Sequence, residues 1–324
     1  MNLDKIKEDI SADWQSYQRM LESGLISDCE LLNSINTNIL SNKGKQLRPL
    51  LSILAGNSCG KSNNLTLSCA VVSEMIHTAT LLHDDVADNA SKRRGKATIQ
   101  KLFTPAASVL TGDYWLSKAL SLLTKECDYK VLSFFTRAVE ELSEGELFQM
   151  QKAGQLNTTK SEYYSIIARK TSSLFVAAVT SAVYSVGAND ETISEMEKYA
   201  YYLGLAFQIR DDIFDYMPEL NTGKMSGSDI KEKKLTLPLI LAMEKANSEE
   251  SSNLLDVVKN SNEITDEIVA KVLEFVQKYD GIESAQKELI NYSELAIDAL
   301  KKIPASKYRD HLESLAIYVG KRVN

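Results

Sequence analysis

Turn-forming residues are scarce in this chain of 324 residues, which contains 14 glycines and 5 prolines, about half of their usual share. A sandwich, barrel or propeller needs many tight turns, so this composition argues against a β-rich fold. Hydrophobic residues make up 44% of the chain and charged residues 25%, which is enough for a sizeable core and argues against wholesale disorder. We expect a mostly helical protein.

Positive charge is also in deficit, with 37 Lys and Arg residues against 44 Asp and Glu residues. A nucleic-acid-binding protein usually carries a basic patch or stripe, so no nucleic-acid partner is expected. The four cysteines are scattered, with no pair and no histidine at zinc-binding spacing, which argues against a disulfide scaffold and a zinc site. Reduced thiols and the lack of an apolar run in the first residues, MNLDKIKEDI, favour a cytoplasmic protein.

Helical periodicity extends along most of the chain. We expect helices near 2–22, 28–42, 47–58, 65–88, 105–124, 127–153, 160–187, 191–217, 234–246, 250–260, 265–279, 281–302 and 305–320. The uncharged stretch 171–188 is long enough to cross a membrane, but six of its residues are Ser or Thr. We therefore interpret it as a buried central helix and expect no stable membrane insertion. No linker rich in Gly, Ser or Pro divides the chain, which predicts a single domain over 1–324.

One acidic pattern, Asp-Asp-x-x-Asp, occurs twice, at residues 84–88 and 211–215, each time after an apolar stretch. On a helix its first and last aspartates lie on one face, one turn apart, and the middle one is turned about 100° away. Like charges at this spacing destabilise a helix by a few tenths of a kcal/mol. A favourable interaction, such as binding of a cation, must therefore compensate for this cost. Carboxylates suit Mg²⁺, and two such helices facing each other could hold several ions. Two solvated acidic turns are the alternative.

Cationic residues accompany both motifs. They lie in the segments 44–49 (GKQLRP), 91–96 (SKRRGK), 170–171 (KT), 223–227 (GKMSG) and 229–234 (DIKEKK). Arginine can grip a phosphate with two parallel hydrogen bonds, and lysine acts as a point charge. His77 adds a further polar group on the face of the first motif. Each segment alone could be ordinary solvated surface, but together they predict a site for a metal-bound diphosphate.

Taken together, these segments resemble the trans (E-type) polyprenyl diphosphate synthase family, and most of all its long-chain octaprenyl and heptaprenyl members. The motifs G-K-Q-L-R-P, H-D-D-x-x-D, R-R-G-K-A-T, K-T, F-Q-x-x-D-D-x-x-D-Y, G-K-x-x-G-x-D and T-L-P follow the family's order between about residues 40 and 240. The resemblance implies an all-α helical bundle of the isoprenoid synthase type with a central apolar cavity, present as a homodimer. It also implies a Mg²⁺-dependent prenyltransferase that joins isopentenyl diphosphate to an allylic diphosphate such as farnesyl or geranyl diphosphate.

The same resemblance assigns roles residue by residue. It makes the catalytic set Asp84, Asp85, Asp88, Lys170, Asp211 and Asp212. It gives the metal-binding role to Asp84, Asp88, Asp211 and Asp215, with about three Mg²⁺ ions per active site. The allylic diphosphate would meet Arg93, Lys170, Thr171, Gln208, Lys224 and Lys234, and isopentenyl diphosphate would meet Lys45, Arg48, His77 and Arg94.

Two positions depart from the family pattern. Arg210 stands where relatives are often uncharged, and helical geometry turns it off the metal-binding face, so we expect it to form a neighbouring ion pair. Lys233 stands where relatives often carry glycine, which leaves open whether Lys233 or Lys234 contacts phosphate.

Product length is predicted from the helix that leads into the first motif. Ile76, Ala79 and Thr80 lie one and two turns before Asp84, and no aromatic ring blocks those turns. An open tunnel there predicts a product of about C35 to C50, suited to a quinone side chain. The alternative explanation is that these small residues simply allow tight helix packing.

Two other functions remain alternatives to a long-chain synthase: a short-chain (C15–C20) synthase and a non-catalytic subunit that binds prenyl diphosphates. A terpene cyclase is disfavoured because the second metal motif repeats Asp-Asp-x-x-Asp.

Overall fold

The computed structural model describes residues 3–93, 95–217 and 227–321. The chain forms two compact units, each assembled from separate segments. The first unit consists of Met1–Val139, Leu174–Ala200 and Ala299–Leu315, and the second of Glu140–Ser173, Tyr201–Asp298 and Ala316–Asn324. The single domain expected over 1–324 stays a prediction.

Helices dominate the chain up to residue 126. They are Leu3–Asp9 (α1), Ser11–Gly24 (α2), Glu30–Ser41 (α3), Leu47–Cys59 (α4), Asn64–Ala87 (α5), Ile99–Leu102 (α6) and Pro105–Glu126 (α7). Local sequence explains where the two longest begin. The Asn63 side chain accepts a hydrogen bond from the backbone N–H of Thr66, the Thr66 hydroxyl accepts one from the backbone N–H of Asn63, and this reciprocal cap starts α5. The Thr104 hydroxyl caps α7, whose first residue is Pro105.

The rest of the chain is also helical. Its helices are Tyr129–Gln155 (α8), Lys160–Ile167 (α9), Ser173–Ser185 (α10), Asp190–Asp215 (α11), Ser228–Lys231 (α12), Leu237–Lys245 (α13), Ser248–Asn260 (α14), Asp266–Lys278 (α15), Gly281–Leu300 (α16) and Lys307–Gly320 (α17). A π-helical turn, Ala168–Ser172, joins α9 to α10. The paired strands Lys92–Arg93 (β1) and Lys96–Ala97 (β2) form a small hairpin.

The first unit is organised around α5, which packs against α2, α4 and α7. Ile35, Leu82 and Ile99 form a buried cluster near the carboxyl end of α5. At the same end, the Ser108 hydroxyl of α7 donates a hydrogen bond of 2.9 Å to the carbonyl of Leu82. Residues 84–88 follow directly, so the first acidic motif lies at the end of a helix that is held on several sides.

The π-helical turn of the second unit is approached closely by two glycines. A Cβ atom added at Gly145 of α8 would lie 2.8 Å from the Cβ of Arg169, and one added at Gly204 of α11 would lie 2.7 Å from the Cα of Ser172. Real Cβ atoms do not come so near to other atoms, so both helices pack here backbone to backbone. Lys170 and Thr171 lie within this turn, which therefore holds two predicted site residues on rigid helical structure.

Among the residues that the structure describes, two helical stretches are long and apolar enough to cross a membrane, Asn64–Ala87 and Lys160–Ser185. Of the most apolar 18-residue window in each stretch, 72% and 78%, respectively, is buried inside the protein. Burial of this kind is typical of core helices. It agrees with the prediction that the uncharged stretch 171–188 belongs to a buried helix.

The all-α prediction is confirmed, and the differences concern short elements. The helix expected at 2–22 is broken at Ile10, which separates α1 from α2, and the helix expected at 160–187 contains the π-helical turn. The hairpin and the four-residue helices α6 and α12 were not predicted. Elements this short do not complete a period of apolar residues, so periodicity cannot reveal them.

The close approach at Gly204 predicts the effect of a single methyl group. We expect Gly204→Ala to lower the free energy of unfolding by about 1–3 kcal/mol, because the methyl group would overlap the backbone of Ser172. Gly154→Ala is the matched control, since nothing lies within 4 Å of a Cβ added there. The control should leave stability unchanged or raise it by up to about 1 kcal/mol. Urea denaturation of both variants measures the difference, and equal stabilities would contradict the packing described.

Candidate active site

The first acidic motif separates its three carboxylates by exposure. Asp84 is half-buried, Asp85 is only 4% exposed, and Asp88 is exposed at the end of α5. The middle aspartate is therefore turned away from the other two, as the helical spacing predicts. Burial raises the pKa of the Asp85 carboxyl, against the lowering effect of the Arg93 guanidinium beside it.

Arg93 is held by that buried carboxylate. Its Nε donates a hydrogen bond of 2.7 Å to Asp85 Oδ1, while its side chain remains 37% exposed. The β1–β2 hairpin places it there, and Gly95 adopts the positive φ that a tight hairpin turn requires. The predicted phosphate contact thus has a fixed internal partner. Arg94, the adjacent predicted contact, lies outside the described residues.

The second motif also buries its middle aspartate. Asp211 is half-buried, whereas Asp212 is 4% exposed and accepts hydrogen bonds from the Tyr163 hydroxyl at 2.5 Å and from Gln208 Nε2 at 2.8 Å. Burial raises the pKa of the Asp212 carboxyl to about 8, and nearby Asp229 adds to the effect, although the two hydrogen bonds oppose it. Negative charge is therefore unfavourable here until a cation compensates it.

Asp215 differs from its counterpart in the first motif. Its side chain is buried, and both carboxylate oxygens accept hydrogen bonds from Ser228 and Asp229 at the start of α12. A metal ion would compete with Ser228 and Asp229 for the same carboxylate oxygens, so these hydrogen bonds argue against the predicted role of Asp215 as a metal ligand.

A cavity of about 80 Å³ opens in the second unit, which is room for several water molecules. Its polar lining includes Gln149, Lys170, Gln208, Asp212, Asp229 and Lys234. Lys170 is held by Glu146 at 2.6 Å and by Gln149 at 3.2 Å. The Thr171 hydroxyl donates to Gln208 Oε1 at 2.7 Å, and Gln208 in turn donates to Asp212. The structure thus brings together several residues predicted to bind the allylic diphosphate.

The two adjacent lysines have different surroundings. Lys233 adopts a left-handed backbone conformation with φ of 57°, and its ammonium donates to the carbonyl of Ser261 at 2.9 Å, just beyond α14. Lys234 lines the cavity and pairs with Glu232. A left-handed backbone is the conformation that favours glycine, which explains why glycine would suit position 233. The geometry favours Lys234 as the phosphate contact.

Three of the four residues predicted to hold isopentenyl diphosphate are described, and they lie around the start of α4 and on α5. Lys45 is exposed, and Arg48 lies over the Phe175 ring with 4.8 Å between its guanidinium carbon and the ring centroid. Between them, Gln46 has a positive φ and donates a hydrogen bond of 2.9 Å to the buried Tyr17 hydroxyl. His77 is half-buried on α5. This strained entry sets the direction in which α4 begins.

Arg210 does not make the predicted ion pair with a described carboxylate; it contacts a backbone carbonyl and two aromatic rings instead. Its Nη1 donates to the carbonyl of Tyr318 at 2.8 Å, and its guanidinium lies 4.5 Å from the Tyr318 ring centroid and 5.3 Å from that of Phe214. Among the described residues, its contacts are thus a carbonyl and two rings rather than a carboxylate. Stacking against aromatic faces suits arginine and accounts for a cation at this place.

The predicted chain-length residues occupy the apolar part of α5. Ile76 and Ala79 are buried in the first unit, and Thr80 is half-buried with its hydroxyl bonded to the carbonyl of His77. Lys224, a predicted phosphate contact, lies outside the described residues. The length assignment stays a prediction.

Sequence reasoning missed several side chains that shape this site. Tyr163 holds Asp212, while Glu146 and Gln149 hold Lys170. Asp229 lines the cavity, and its one available signal was the aspartate that closes the motif G-K-x-x-G-x-D. The other three lie in helices whose pattern shows only periodicity, so no local signal marks them.

Metal ligands are not gathered into a ready-made cluster. Across residues 3–93, 95–217 and 227–321, no group of three or more His, Cys, Asp or Glu side chains is arranged to hold an ion. The donor chemistry nevertheless fits Mg²⁺, which is typically bound through one or two carboxylates together with substrate phosphates. Asp84, Asp88 and Asp211 are the motif aspartates with accessible side chains.

The fold and the cavity together define a class of protein: an all-α protein with a cavity in which lysines lie beside the buried carboxylate of Asp212. The polyprenyl synthetase family model matches residues 29–276. The chain is 35% identical to octaprenyl diphosphate synthase of Escherichia coli over 317 residues, 98% of each protein. It therefore belongs to the polyprenyl synthetase family, and it is a prenyltransferase.

Solved structures agree with this assignment. A decaprenyl diphosphate synthase from Rhodobacter capsulatus is 30% identical, with a TM-score of 0.94 over 100% of both chains. A polyprenyl synthase from Caulobacter crescentus, complexed with calcium and isoprenyl diphosphate, is 31% identical, with a TM-score of 0.91 over 99% of this chain and 98% of that one. The chain has the all-α isoprenoid synthase fold.

The different surroundings of the adjacent lysines predict different effects on anion binding. We expect Lys234→Ala to weaken binding of inorganic diphosphate about tenfold, because a charge-assisted hydrogen bond in the cavity is lost. Lys233→Ala removes the same charge outside the cavity and should leave affinity within about twofold of the wild-type value. Isothermal titration calorimetry in the presence of Mg²⁺ measures both. Equal losses in the two variants would indicate a general effect of net charge and contradict the assignment.

Proposed function

We propose that this protein is a Mg²⁺-dependent polyprenyl diphosphate synthase. It adds isopentenyl diphosphate units to an allylic diphosphate, such as farnesyl or geranyl diphosphate, and makes an all-trans product. The observation that carries the proposal is the cavity of the second unit, where Lys170 and Lys234 lie beside the buried Asp212. The octaprenyl and decaprenyl synthases to which the chain is similar support a long product. A cytoplasmic homodimer that supplies quinone side chains is part of the proposal.

Asp84, Asp88 and Asp211 are the proposed holders of about three Mg²⁺ ions, with diphosphate oxygens completing the coordination. The relative that was crystallised with calcium and isoprenyl diphosphate supports a divalent cation at such a site. When bound, Mg²⁺ supplies positive charge that neutralises the diphosphate as it leaves. The buried middle aspartates have a different role from these metal ligands: Asp85 orients Arg93, and Asp212 orients Gln208.

The lysines of the cavity bind the allylic diphosphate and stabilise the charge that develops on it. Breaking the carbon–oxygen bond leaves an allylic cation and a diphosphate anion, and donors that are already in place lower the barrier to that step. Glu146 and Gln149 fix Lys170, so its ammonium need not reorganise during the reaction. Apolar cavity residues such as Ile166 and Ile167 exclude water that would quench the cation.

The second substrate is held so that its double bond lies beside the cation. Lys45, Arg48 and His77, together with Arg94, are the proposed contacts of isopentenyl diphosphate. Positioning of this kind replaces an encounter in solution by a reaction within one complex. The double bond attacks the cation, a carbon–carbon bond forms, and the departed diphosphate accepts the proton that is lost.

A product assay tests the proposed function. The purified protein is incubated with farnesyl diphosphate, labelled isopentenyl diphosphate and Mg²⁺, and the products are separated by chromatography. We expect a product of about C35 to C50, because Ile76, Ala79 and Thr80 place no ring on the proposed path. Products of C15–C20 would indicate the short-chain alternative. Substrate binding without any product would indicate the non-catalytic subunit.

A bulky ring on the proposed path should shorten the product. We expect Ala79→Tyr and Thr80→Tyr each to shift the product towards C15 or C20, because the ring would block the growing chain. Ala79 is fully buried and its variant could fold poorly, so the half-buried Thr80 is the main test. Thr78→Tyr is the matched control, since Thr78 is also half-buried but lies about 200° away around the helix. An unchanged length in Thr80→Tyr would reject the tunnel.

A further inference from the structure

The last aspartate of the second motif is fully engaged within its own unit. Asp215 Oδ1 accepts hydrogen bonds from the backbone N–H of Ser228 at 3.1 Å and from its hydroxyl at 2.8 Å. Oδ2 accepts one from the backbone N–H of Asp229 at 3.0 Å, and the Asp215 carbonyl accepts one from Gly227 at 2.9 Å. Both side-chain oxygens and the carbonyl thus bind a segment that begins a dozen residues later in the chain.

The equivalent aspartate of the first motif is in another situation. Asp88 ends α5 with its side chain exposed, whereas Asp215 is 5% exposed. A carboxylate at the surface can exchange water for a metal ion at little cost. One that already accepts three hydrogen bonds in a buried position has little acceptor capacity left, so coordinating a metal ion would weaken bonds that it already makes. The two motifs share a sequence pattern, but their last residues are not equivalent in structure.

The segment that Asp215 binds has no cap of its own. Helix α12 is only four residues long, and its N-cap residue, Gly227, has no side chain to accept a bond from the first N–H groups. An isolated helix of this length does not form in water. Asp215 supplies the missing acceptor from a neighbouring helix, and its negative charge also suits a helix amino terminus.

The held segment leads directly to the cavity. Asp229 lines the cavity, and its carbonyl accepts a hydrogen bond of 2.8 Å from the backbone N–H of Lys234, which lines it too. Only hydrogen-bonded backbone separates Asp215 from both residues. The position of the Lys234 ammonium therefore depends on the anchorage of α12.

We infer that Asp215 is a positioning residue, which fixes α12 and through it Asp229 and Lys234 at the cavity, and not a ligand of the metal. The inference rests on the proposed function, because it concerns the binding of the allylic diphosphate at the same cavity. It gives the last aspartates of the two motifs, Asp88 and Asp215, different roles. The first presents its end aspartate outward, and the second uses its end aspartate to build the diphosphate-binding wall.

Steady-state kinetics of Asp215→Asn and Asp88→Asn test the inference. In Asp215→Asn an NH₂ group replaces one acceptor oxygen and opposes an N–H of α12. We expect the KM for farnesyl diphosphate to rise roughly tenfold, equivalent to one hydrogen bond to a charged group, with the Mg²⁺ concentration for half-maximal rate unchanged. Asp88→Asn, the same substitution at the exposed position, should raise that Mg²⁺ concentration. A Mg²⁺ shift in Asp215→Asn as large as in Asp88→Asn would overturn the inference.

Hydrogen–deuterium exchange of the metal-free protein gives a second readout that is independent of activity. Peptides containing residues 227–234 should exchange roughly tenfold faster in Asp215→Asn and at the wild-type rate in Asp88→Asn. Unchanged exchange in Asp215→Asn would overturn the inference.

A second variant, Ser228→Ala, tests the inference if Asp215→Asn does not fold. It removes a single donor to Asp215 and should raise the KM for farnesyl diphosphate by about twofold. An unchanged KM in Ser228→Ala would contradict the inference. A wild-type protein that makes no product would instead refute the proposed function, and the exchange result would still stand.

Discussion

A carboxylate that leaves water must meet hydrogen-bond donors or give up its charge, and this constraint shapes both acidic motifs. A helix turns about 100° per residue, so two adjacent aspartates cannot both stay accessible on one face. Asp85 and Asp212 take the inward positions, and each recruits donors from its own unit, Arg93 in one case and Tyr163 with Gln208 in the other. The pattern thereby orders the surrounding polar side chains before any ligand arrives.

A second constraint concerns the lysine that the cavity needs. Lys170 lies in a largely buried stretch of helix, where an unpaired ammonium would be costly. Glu146 pairs with it, and Gly145, the residue before, lets α8 approach the π-helical turn closely enough for that pair to form. A π-helical turn adds one residue to the helix and so changes the direction of the side chains that follow; such turns are frequent at functional sites. Packing of rigid helices, rather than a loop, sets the position of this charge.

The starts of the helices expected near 65–88 and 105–124 lie close to the observed ones, where Asn63 caps α5 and Pro105 opens α7. The same reasoning could not find the π-helical turn, because one added residue leaves the apolar period nearly unchanged. Nor could it find Tyr163, whose partner Asp212 is 49 residues away, since an ordinary helical tyrosine gives no local signal. The motif aspartates were predictable because their spacing is local. Their partners were not, because contacts distant in sequence decide them.

Lys233 and Lys234 show how backbone conformation can give two adjacent lysines different positions and different partners. A left-handed conformation at a lysine costs about 1–2 kcal/mol relative to a right-handed one, which is why glycine suits such a position. At Lys233 the cost is offset by hydrogen bonds from its ammonium to the carbonyls of Lys259 and Ser261 at the carboxyl end of α14, where positive charge is favoured. The left-handed residue turns the chain so that the next side chain lines the cavity. A lysine in place of glycine at 233 is thus compatible with the site, because the conformation is kept and the added charge is bound elsewhere.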